Sequence, residues 1–134
     1  MAEVTVLLID DDEDFTVSIQ SLLETEGYRV ETAATGKEGL KKLTESRPDV
    51  VLLDVMMESS TEGYAVSGAM KLMREPVPVI MVSSVDLTPM ELFARSEEIE
   101  LIRPDAYLTK PVEVPKFLEA LRSVLARRGV QVRA

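Results

Sequence analysis

The sequence contains no cysteine and no histidine among its 134 residues. Without cysteine, the chain can form no disulfide, no catalytic thiolate and no cysteine zinc site. Without histidine, it lacks the base of the serine hydrolases and the imidazole ligands of many metal sites, and it cannot carry a phosphohistidine of its own. Any chemistry must therefore depend on carboxylates, hydroxyls and lysines.

Long hydrophobic runs and an excess of positive charge are also lacking. The longest apolar runs are four to six residues, far below the ~20 that span a bilayer, and the N-terminus has no pattern of a signal peptide. The 24 acidic and 15 basic residues give a net charge of −9, which argues against direct binding to nucleic acid or to an anionic membrane surface. We therefore expect a cytoplasmic protein.

The chain has the length of one domain and enough apolar residues, 46%, for an ordinary core. Five short apolar runs predict β-strands. The first, third and fourth are nearly continuous and rich in β-branched residues, as in parallel strands that are buried on both faces. The second alternates, which predicts a position nearer the edge of the sheet. The runs are Val4–Ile9, Tyr28–Ala33, Val50–Leu53, Val77–Val82 and Ala106–Leu108.

The stretches between these runs have helical periodicity. Apolar residues recur on one face in three of them, and Gly27 is a plausible stop for the first helix. Capping boxes at Thr35–Glu38 and Thr88–Glu91 predict two further helix starts. A β-α order repeated five times predicts an open parallel sheet with helices on both faces. The helical sets are Phe15, Ile19, Leu22 and Leu23; Val66, Ala69, Met70 and Met73; and Val114, Phe117, Leu118, Leu121 and Leu125.

Polar residues follow four of the predicted strands. Strand one runs into Asp10–Asp12, strand three into Asp54, strand four into Ser83–Ser84 and strand five into Thr109–Pro111. In doubly wound folds, the carboxyl ends of the strands form the ligand crevice. We therefore expect acids, a hydroxyl and a lysine to meet at one edge of the sheet.

Acids that crowd together in this way raise one another's pKa unless a cation neutralises them. With only oxygen ligands available, Mg²⁺ fits best where a few carboxylates share it with a phosphate and water. A lysine such as Lys110 suits a phosphoryl oxygen, and an aspartate can act as a nucleophile that forms an aspartyl-phosphate. The residues thus suggest Mg²⁺-dependent phosphoryl transfer onto an aspartate.

Two rival motifs overlap the acidic run. Asp12–Thr16 fits the D-x-D-x-T pattern of haloacid-dehalogenase phosphatases, but two other acids separate it from the strand, and a late acidic pair is missing. Asp10, Asp12 and Asp14 mimic the opening of an EF-hand, but Phe15 stands where the glycine of the tight turn belongs and Ser21 where the bidentate glutamate belongs. Both alternatives fail.

Four segments together resemble response-regulator receiver domains of two-component signal transduction, in particular single-domain, chemotaxis-regulator-like ones. The resemblance covers nearly the whole chain and implies a flavodoxin-like α/β fold: a single doubly wound sheet of five parallel strands in the order 2-1-3-4-5 with five helices. It places a receiver domain at residues 1–126 and a short basic tail at 127–134. The segments are Leu7–Asp12, Val51–Asp54, Pro78–Ser83 and Tyr107–Pro111.

The resemblance also implies roles for single residues. Asp54 matches the phosphoacceptor and Asp11 a direct Mg²⁺ ligand. Asp10 acts on the metal mainly through water, and Met56 offers its backbone carbonyl.

Three further positions match the switch and the phosphate-binding site. Ser83 corresponds to the switch hydroxyl, Lys110 to the phosphate-binding lysine and Tyr107 to the aromatic switch residue, although a half-buried aromatic on an edge strand explains Tyr107 equally well. The Lys110–Pro111 bond is cis in such proteins.

By the same resemblance, a histidine kinase or His-phosphotransfer protein donates the phosphoryl group. The domain catalyses its own phosphorylation and, with apolar Met56 and Val85 at the water-access positions, a slow autodephosphorylation. Output reaches a downstream protein through the face of helix four, strand five and helix five, from a monomer or a weak phosphorylation-dependent dimer. The alternative is a phosphorylation-independent adaptor, a pseudo-receiver, that acts by protein–protein binding.

The sequence departs from the family pattern in several places. Glu58 replaces the usual proline, and the loop Glu58–Gly63 is one residue longer. Ser83 replaces the commoner threonine, and Ser84 stands where a small alanine is typical. The segment Ser96–Pro104 is longer than usual. None of these changes removes a catalytic group; the sequence does not say whether they change the conformation of the loop or the partner surface.

Overall fold

The computed structural model describes residues 4–54, 77–84 and 105–127. Within these ranges all five predicted strands are present, and three helices follow β1, β2 and β5 as predicted. The two predicted helices around Val66–Met73 and Thr88–Glu91 lie outside the described residues. The elements are β1 (Thr5–Ile9), α1 (Glu13–Thr25), β2 (Arg29–Ala33), α2 (Gly36–Ser46), β3 (Val50–Asp54), β4 (Val79–Ser84), β5 (Ala106–Lys110) and α3 (Val114–Arg127).

The five strands form one parallel sheet in the order β2-β1-β3-β4-β5. This confirms the predicted doubly wound sheet. The register aligns Ile9 with Ala33 on one side and with Leu53 on the other. Asp54 is aligned with Val82. The carboxyl ends of β1, β3 and β4 therefore lie side by side.

The central strands are buried on both faces, as their unbroken apolar runs predict. Because side chains alternate along a strand, Val6 and Leu8 join one core cluster with residues of α1 and α3. Leu7 and Ile9 point to the opposite face and join a second cluster that includes Leu43 of α2. Each face of the sheet thus has its own core.

The outer strands are less buried. β2 is an edge strand whose first residue, Arg29, is exposed and whose next three are only partly buried, which confirms the prediction from its weaker apolar pattern. β5 forms the other edge and alternates between partly buried and exposed residues. Tyr107 in β5 is 40% exposed.

Local sequence signals define the ends of the first two helices. Asp12 caps α1, and Gly27 follows the helix with a φ of +92°, the left-handed conformation that glycine favours. The Thr35 side chain caps α2 by accepting from the Glu38 amide (3.1 Å). The Glu38 side chain returns to the amide of Ala34 (3.2 Å), one residue before the predicted position.

Only part of the apolar face that was predicted for the last helix is buried. Phe117, Leu121 and Leu125 are buried, but Val114 is 46% exposed because it lies in the first turn of α3, at the end of the apolar face. Val124, which the periodicity analysis missed, is buried. No helix within the described ranges has the length and hydropathy of a membrane span.

Candidate functional site

The candidate site lies at the carboxyl edge of the sheet. Asp10 directly follows β1, Asp54 is the last residue of β3 and Lys110 is the last residue of β5. Parallel strands direct their carboxyl ends to the same edge, where doubly wound folds bind ligands. The topology therefore brings together residues that are up to 100 positions apart in the chain.

Three carboxylates form a tight cluster at this edge. Oxygen atoms of Asp10, Asp11 and Asp54 all lie within 4.8 Å of one another. Asp10 and Asp54 are buried, whereas Asp11 is exposed. A set of oxygen ligands that combines two buried acids with a solvent-facing one fits a hard divalent cation that keeps part of its water shell.

Backbone amides fix the acidic run in place. The Asp10 amide donates to the Ala33 carbonyl (3.0 Å) of the neighbouring strand. The Asp12 amide donates to Asp10 Oδ1 (2.8 Å), and Asp12 Oδ1 in turn accepts from the Phe15 amide (3.2 Å). Because Asp12 is the N-cap of α1, the start of the helix and the orientation of the Asp10 carboxylate are coupled.

Lys110 places one ammonium among these acids. Its Nζ lies 2.9 Å from Asp10 Oδ2 and 3.8 Å from both Asp12 Oδ2 and Asp54 Oδ2. The same Nζ lies 4.3 Å from the centroid of the Phe15 ring. Three carboxylates share this ammonium, and Asp11 adds a fourth negative charge to the cluster. The cluster therefore keeps an excess of negative charge that a divalent cation would offset.

The turn after Lys110 is defined by a cis peptide bond between Lys110 and Pro111, as the resemblance implied. Pro111 and Val112 line one side of an open groove of about 600 Å³. Phe15, Ser18 and Leu22 of α1 line the other side. The groove thus opens directly beside the acidic cluster.

The remaining predicted site residues are described only in part. Ser83 pairs with Thr109 in the sheet, one position beyond the pair of Asp54 and Val82, so its backbone is at the same edge. The side chains of Ser83 and Ser84 lie outside the described residues, as do Met56 and Val85. The segments 58–63 and 96–104 and the residues after 127 lie outside them too.

Sequence reasoning missed two residues of the site. Asp12 was included in the acidic run after strand one and in two rejected motifs, but it was given no role of its own. It caps α1 and contacts Lys110. An acid three residues before the first apolar helix position is a cap signal that could have revealed the first of these roles. Phe15 was assigned only to the apolar face of the first helix. No local signal indicates its contact with Lys110, since the two are 95 positions apart.

Comparison of the sequence with known protein families agrees with the fold and the site described above. Residues 6–122 match the family model of the response regulator receiver domain. This chain belongs to that family. The receiver is therefore a domain of two-component response regulators, as the four segments indicated.

Among curated relatives, the receiver is similar to the transcriptional regulatory protein PrrA of Mycobacterium tuberculosis, with 35% identity over 127 residues. It is also similar to the alkaline phosphatase synthesis transcriptional regulatory protein PhoP of Bacillus subtilis, with 32% identity over 125 residues. The alignments cover 92% and 93% of this chain but 51% and 50% of those proteins. The chain thus spans about half the length of these curated relatives.

Solved structures support the same fold. A CheY-like response regulator receiver domain protein from Methanospirillum hungatei has a TM-score of 0.81 and 30% identity, with 96% of this chain and 98% of that chain covered. The chemotaxis protein CheY4 of Vibrio cholerae has a TM-score of 0.77 and 29% identity, with 92% and 99% covered. Both align over nearly their full length.

Proposed function

We propose that this receiver accepts a phosphoryl group on Asp54 and uses the modification to switch a protein-interaction surface. The observation that carries the proposal is the position of the Lys110 ammonium, which lies within 4 Å of the Asp10 and Asp54 carboxylates. A buried nucleophile, a cation beside it and an acidic cluster are the parts that phosphoryl transfer to a carboxylate requires.

The phosphoryl donor is a phosphohistidine of a histidine kinase or of a His-phosphotransfer protein, since this chain has no histidine. A carboxylate oxygen of Asp54 bonds to phosphorus while the bond between phosphorus and the donor's imidazole nitrogen breaks. The electron pair of that bond leaves with the imidazole. The product is an aspartyl-phosphate at the carboxyl end of β3.

Lys110 stabilises the charge of the group in transfer. Its Nζ is already 3.8 Å from Asp54 Oδ2, so an oxygen of a phosphoryl group bonded to Asp54 comes within reach of the ammonium without a backbone movement. Asp10, Asp11, Asp54 and the Met56 carbonyl would hold Mg²⁺. When bound there, Mg²⁺ supplies positive charge that offsets both the carboxylates and the phosphoryl oxygens.

The switch acts through Ser83 and Tyr107. The Ser83 hydroxyl turns toward the phosphoryl group, and Tyr107 on the edge strand β5 responds by moving inward. Tyr107 is 40% exposed, so an inward movement would bury more of its ring. This biases a pre-existing equilibrium and changes the face formed by the fourth predicted helix, β5 and α3.

A downstream protein reads that face. The named relatives are transcriptional regulatory proteins, but the output of this domain is a protein contact, without direct binding to nucleic acid or membrane. We assign this role to residues 1–126, as a monomer or a weak phosphorylation-dependent dimer, and treat 127–134 as a short basic tail. The place of action is the cytoplasm.

Acetyl phosphate with Mg²⁺ tests the proposal. In this reaction the bond between phosphorus and the acetyl oxygen breaks, acetate leaves, and intact mass increases by one phosphoryl group. We expect wild type to take up one group and Asp54→Asn none. Asp49→Asn is the matched control, because Asp49 is an acid just before the other end of the same strand; it should be labelled like wild type.

Two results would contradict the proposal. One is an unlabelled wild type, the result that a phosphorylation-independent adaptor would give. The other is equal labelling of Asp54→Asn, which would move the phosphoacceptor to another residue.

A further inference from the structure

We propose that Phe15 is a positioning residue for Lys110, whose ammonium it holds at the acidic cluster by a cation–π contact. The inference rests on the proposed function, because Lys110 is the cation that meets the phosphoryl group. Lys110 Nζ lies over the Phe15 ring at 4.3 Å from its centroid, well inside the distance of about 6 Å at which such contacts are attractive.

The Phe15 ring is itself held firmly. Its amide donates to Asp12 Oδ1 (3.2 Å) in the first turn of α1. Its side chain is partly buried and packs against the core cluster that contains Ile19 and Leu23 of the same helix. The ring is therefore part of the packed helix face rather than a mobile surface group.

The carboxylates alone do not define one position for Lys110. A lysine is a point charge on a flexible four-carbon stem, and its Nζ is near three acids at 2.9, 3.8 and 3.8 Å. Any of them could attract it. The ring adds a contact of fixed direction, so the ammonium stays between Asp10 and Asp54 instead of following Asp12 toward solvent.

The ring contact also persists when the charges around Lys110 change. A cation bound to Asp10 and Asp54 weakens the attraction of these acids for the ammonium. The attraction of the Phe15 ring does not depend on whether the carboxylates are occupied. Phe15 would thus keep Lys110 in place during the step in which its charge is needed.

The first test compares rates of phosphorylation by acetyl phosphate at saturating Mg²⁺. Phe15→Leu keeps an apolar side chain but removes the ring, and we expect a rate roughly 2- to 30-fold lower than wild type, the range that loss of a cation–π contact implies. Phe15→Tyr keeps the ring and should restore most of the rate. Ile19→Val trims the same helix face one turn further on and should react like wild type.

The second test is independent of phosphorylation. Cε of Lys110 is bonded to an Nζ that lies 4.3 Å from the centroid of the Phe15 ring. We therefore expect the ε-methylene protons to be shifted upfield in NMR spectra of lysine-labelled protein. The shift should remain in Phe15→Tyr and in Asp54→Asn but vanish in Phe15→Leu. Asp54→Asn cannot be phosphorylated at this position and weakens one ion pair of Lys110, so a shift that remains in this variant is due to the ring and not to that ion pair.

Several results would overturn the inference. One is a wild-type Lys110 signal without an upfield shift. Another is a Phe15→Leu rate equal to that of wild type, or one matched by Ile19→Val, which would reduce the role of Phe15 to packing. A Phe15→Tyr variant as slow as Phe15→Leu would exclude the ring as the cause. Failure of wild type to label would instead contradict the proposed function and leave the NMR result to decide the positioning.

Discussion

At the scale of single residues, two buried polar groups differ in their hydrogen bonding. Asp10 is buried but satisfied, because it accepts from the Asp12 amide and pairs with Lys110. Tyr28 is also buried, yet its hydroxyl makes no hydrogen bond of normal geometry within the described part of the chain. Burial raises the pKa of Tyr28 above its usual 10.0, and the nearby Arg122 guanidinium opposes this rise. A buried hydroxyl that makes no hydrogen bond of normal geometry costs stability.

Tyr28→Phe should therefore change how stability depends on pH. Between the ordinary pKa of tyrosine and the raised pKa of Tyr28, the folded state keeps a proton that the unfolded state has lost. The free energy of unfolding consequently falls as the pH rises above 10.0. We expect Tyr28→Phe to equal wild type or exceed it by up to about 1 kcal/mol at neutral pH, and to lose less stability than wild type above pH 10.0.

Urea unfolding of both proteins below and above pH 10.0 measures the difference in stability. The titration of lysines contributes equally to both proteins, so it does not affect this difference. Equal losses in the two proteins would show that Tyr28 does not contribute to the alkaline sensitivity.

At the scale of elements, the two ends of β3 have different tasks. Asp54 at the carboxyl end joins the acidic cluster. Asp49, just before the amino end, joins β3 to β1: its Oδ2 accepts from the Thr5 amide (2.8 Å), and its own amide donates to the Thr5 carbonyl (2.8 Å). Asp105 contacts Val79 in the same two ways. Acids thus connect neighbouring strands at one edge and form the site at the other.

Asp49→Ala should destabilise the fold by about 1–2 kcal/mol, because the Thr5 amide loses its side-chain acceptor in a partly buried position. Asp49→Asn keeps a carbonyl oxygen that can accept the same hydrogen bond, so it should cost less than half as much. Urea unfolding at neutral pH measures both. Equal losses would assign the effect to the charge of Asp49 and not to the hydrogen bond.

The packing of α2 on the sheet depends on Gly39. A Cβ at this position would lie 2.6 Å from Cδ1 of Ile9 and 3.0 Å from its Cγ1, and Ile9 is fully buried. Gly39→Ala gains helix propensity but overpacks this contact, so we expect a net loss of about 1–2 kcal/mol. Combination with Ile9→Val removes Cδ1 and should recover part of the loss. Additive losses in the double variant would contradict the clash.

At the scale of the whole molecule, charge opposes folding. The chain carries a net charge of −9, and the acids at the carboxyl edge of the sheet concentrate part of it. Such repulsion destabilises the compact state unless a cation is bound. The acidic cluster that can bind a metal ion therefore lowers the stability of the metal-free fold.

Asp11→Asn should raise the melting temperature in the absence of Mg²⁺ and abolish the stabilisation that Mg²⁺ produces in wild type. Because Asp11 is exposed and screened by solvent, the gain should be small, about 0–1 kcal/mol or a few degrees. Asp14→Asn is the matched control: it removes the same charge from the exposed first turn of α1 and should keep the Mg²⁺ response. An Asp11→Asn protein that binds Mg²⁺ as tightly as wild type would contradict the assignment.

The sequence alone determined the features that depend on neighbouring residues. Apolar runs identified the strands, helical periodicity identified α1 and α3, and a capping box identified the start of α2. Gly27 and Thr35 marked helix ends because their effects are local. The weaker pattern of β2 identified an edge strand. The family segments placed acids and a lysine at strand ends, since topology directs parallel strands to one edge.

Only the tertiary structure decided the contacts between distant segments. Asp49 and Asp54 are both acids that flank the same strand, and the sequence could not show that one bonds to β1 while the other joins the site. The closer approach of Lys110 to Asp10 than to Asp54 and its contact with Phe15 likewise required the fold. These contacts depend on strand register and on side-chain packing, which no pattern within a short stretch of sequence specifies.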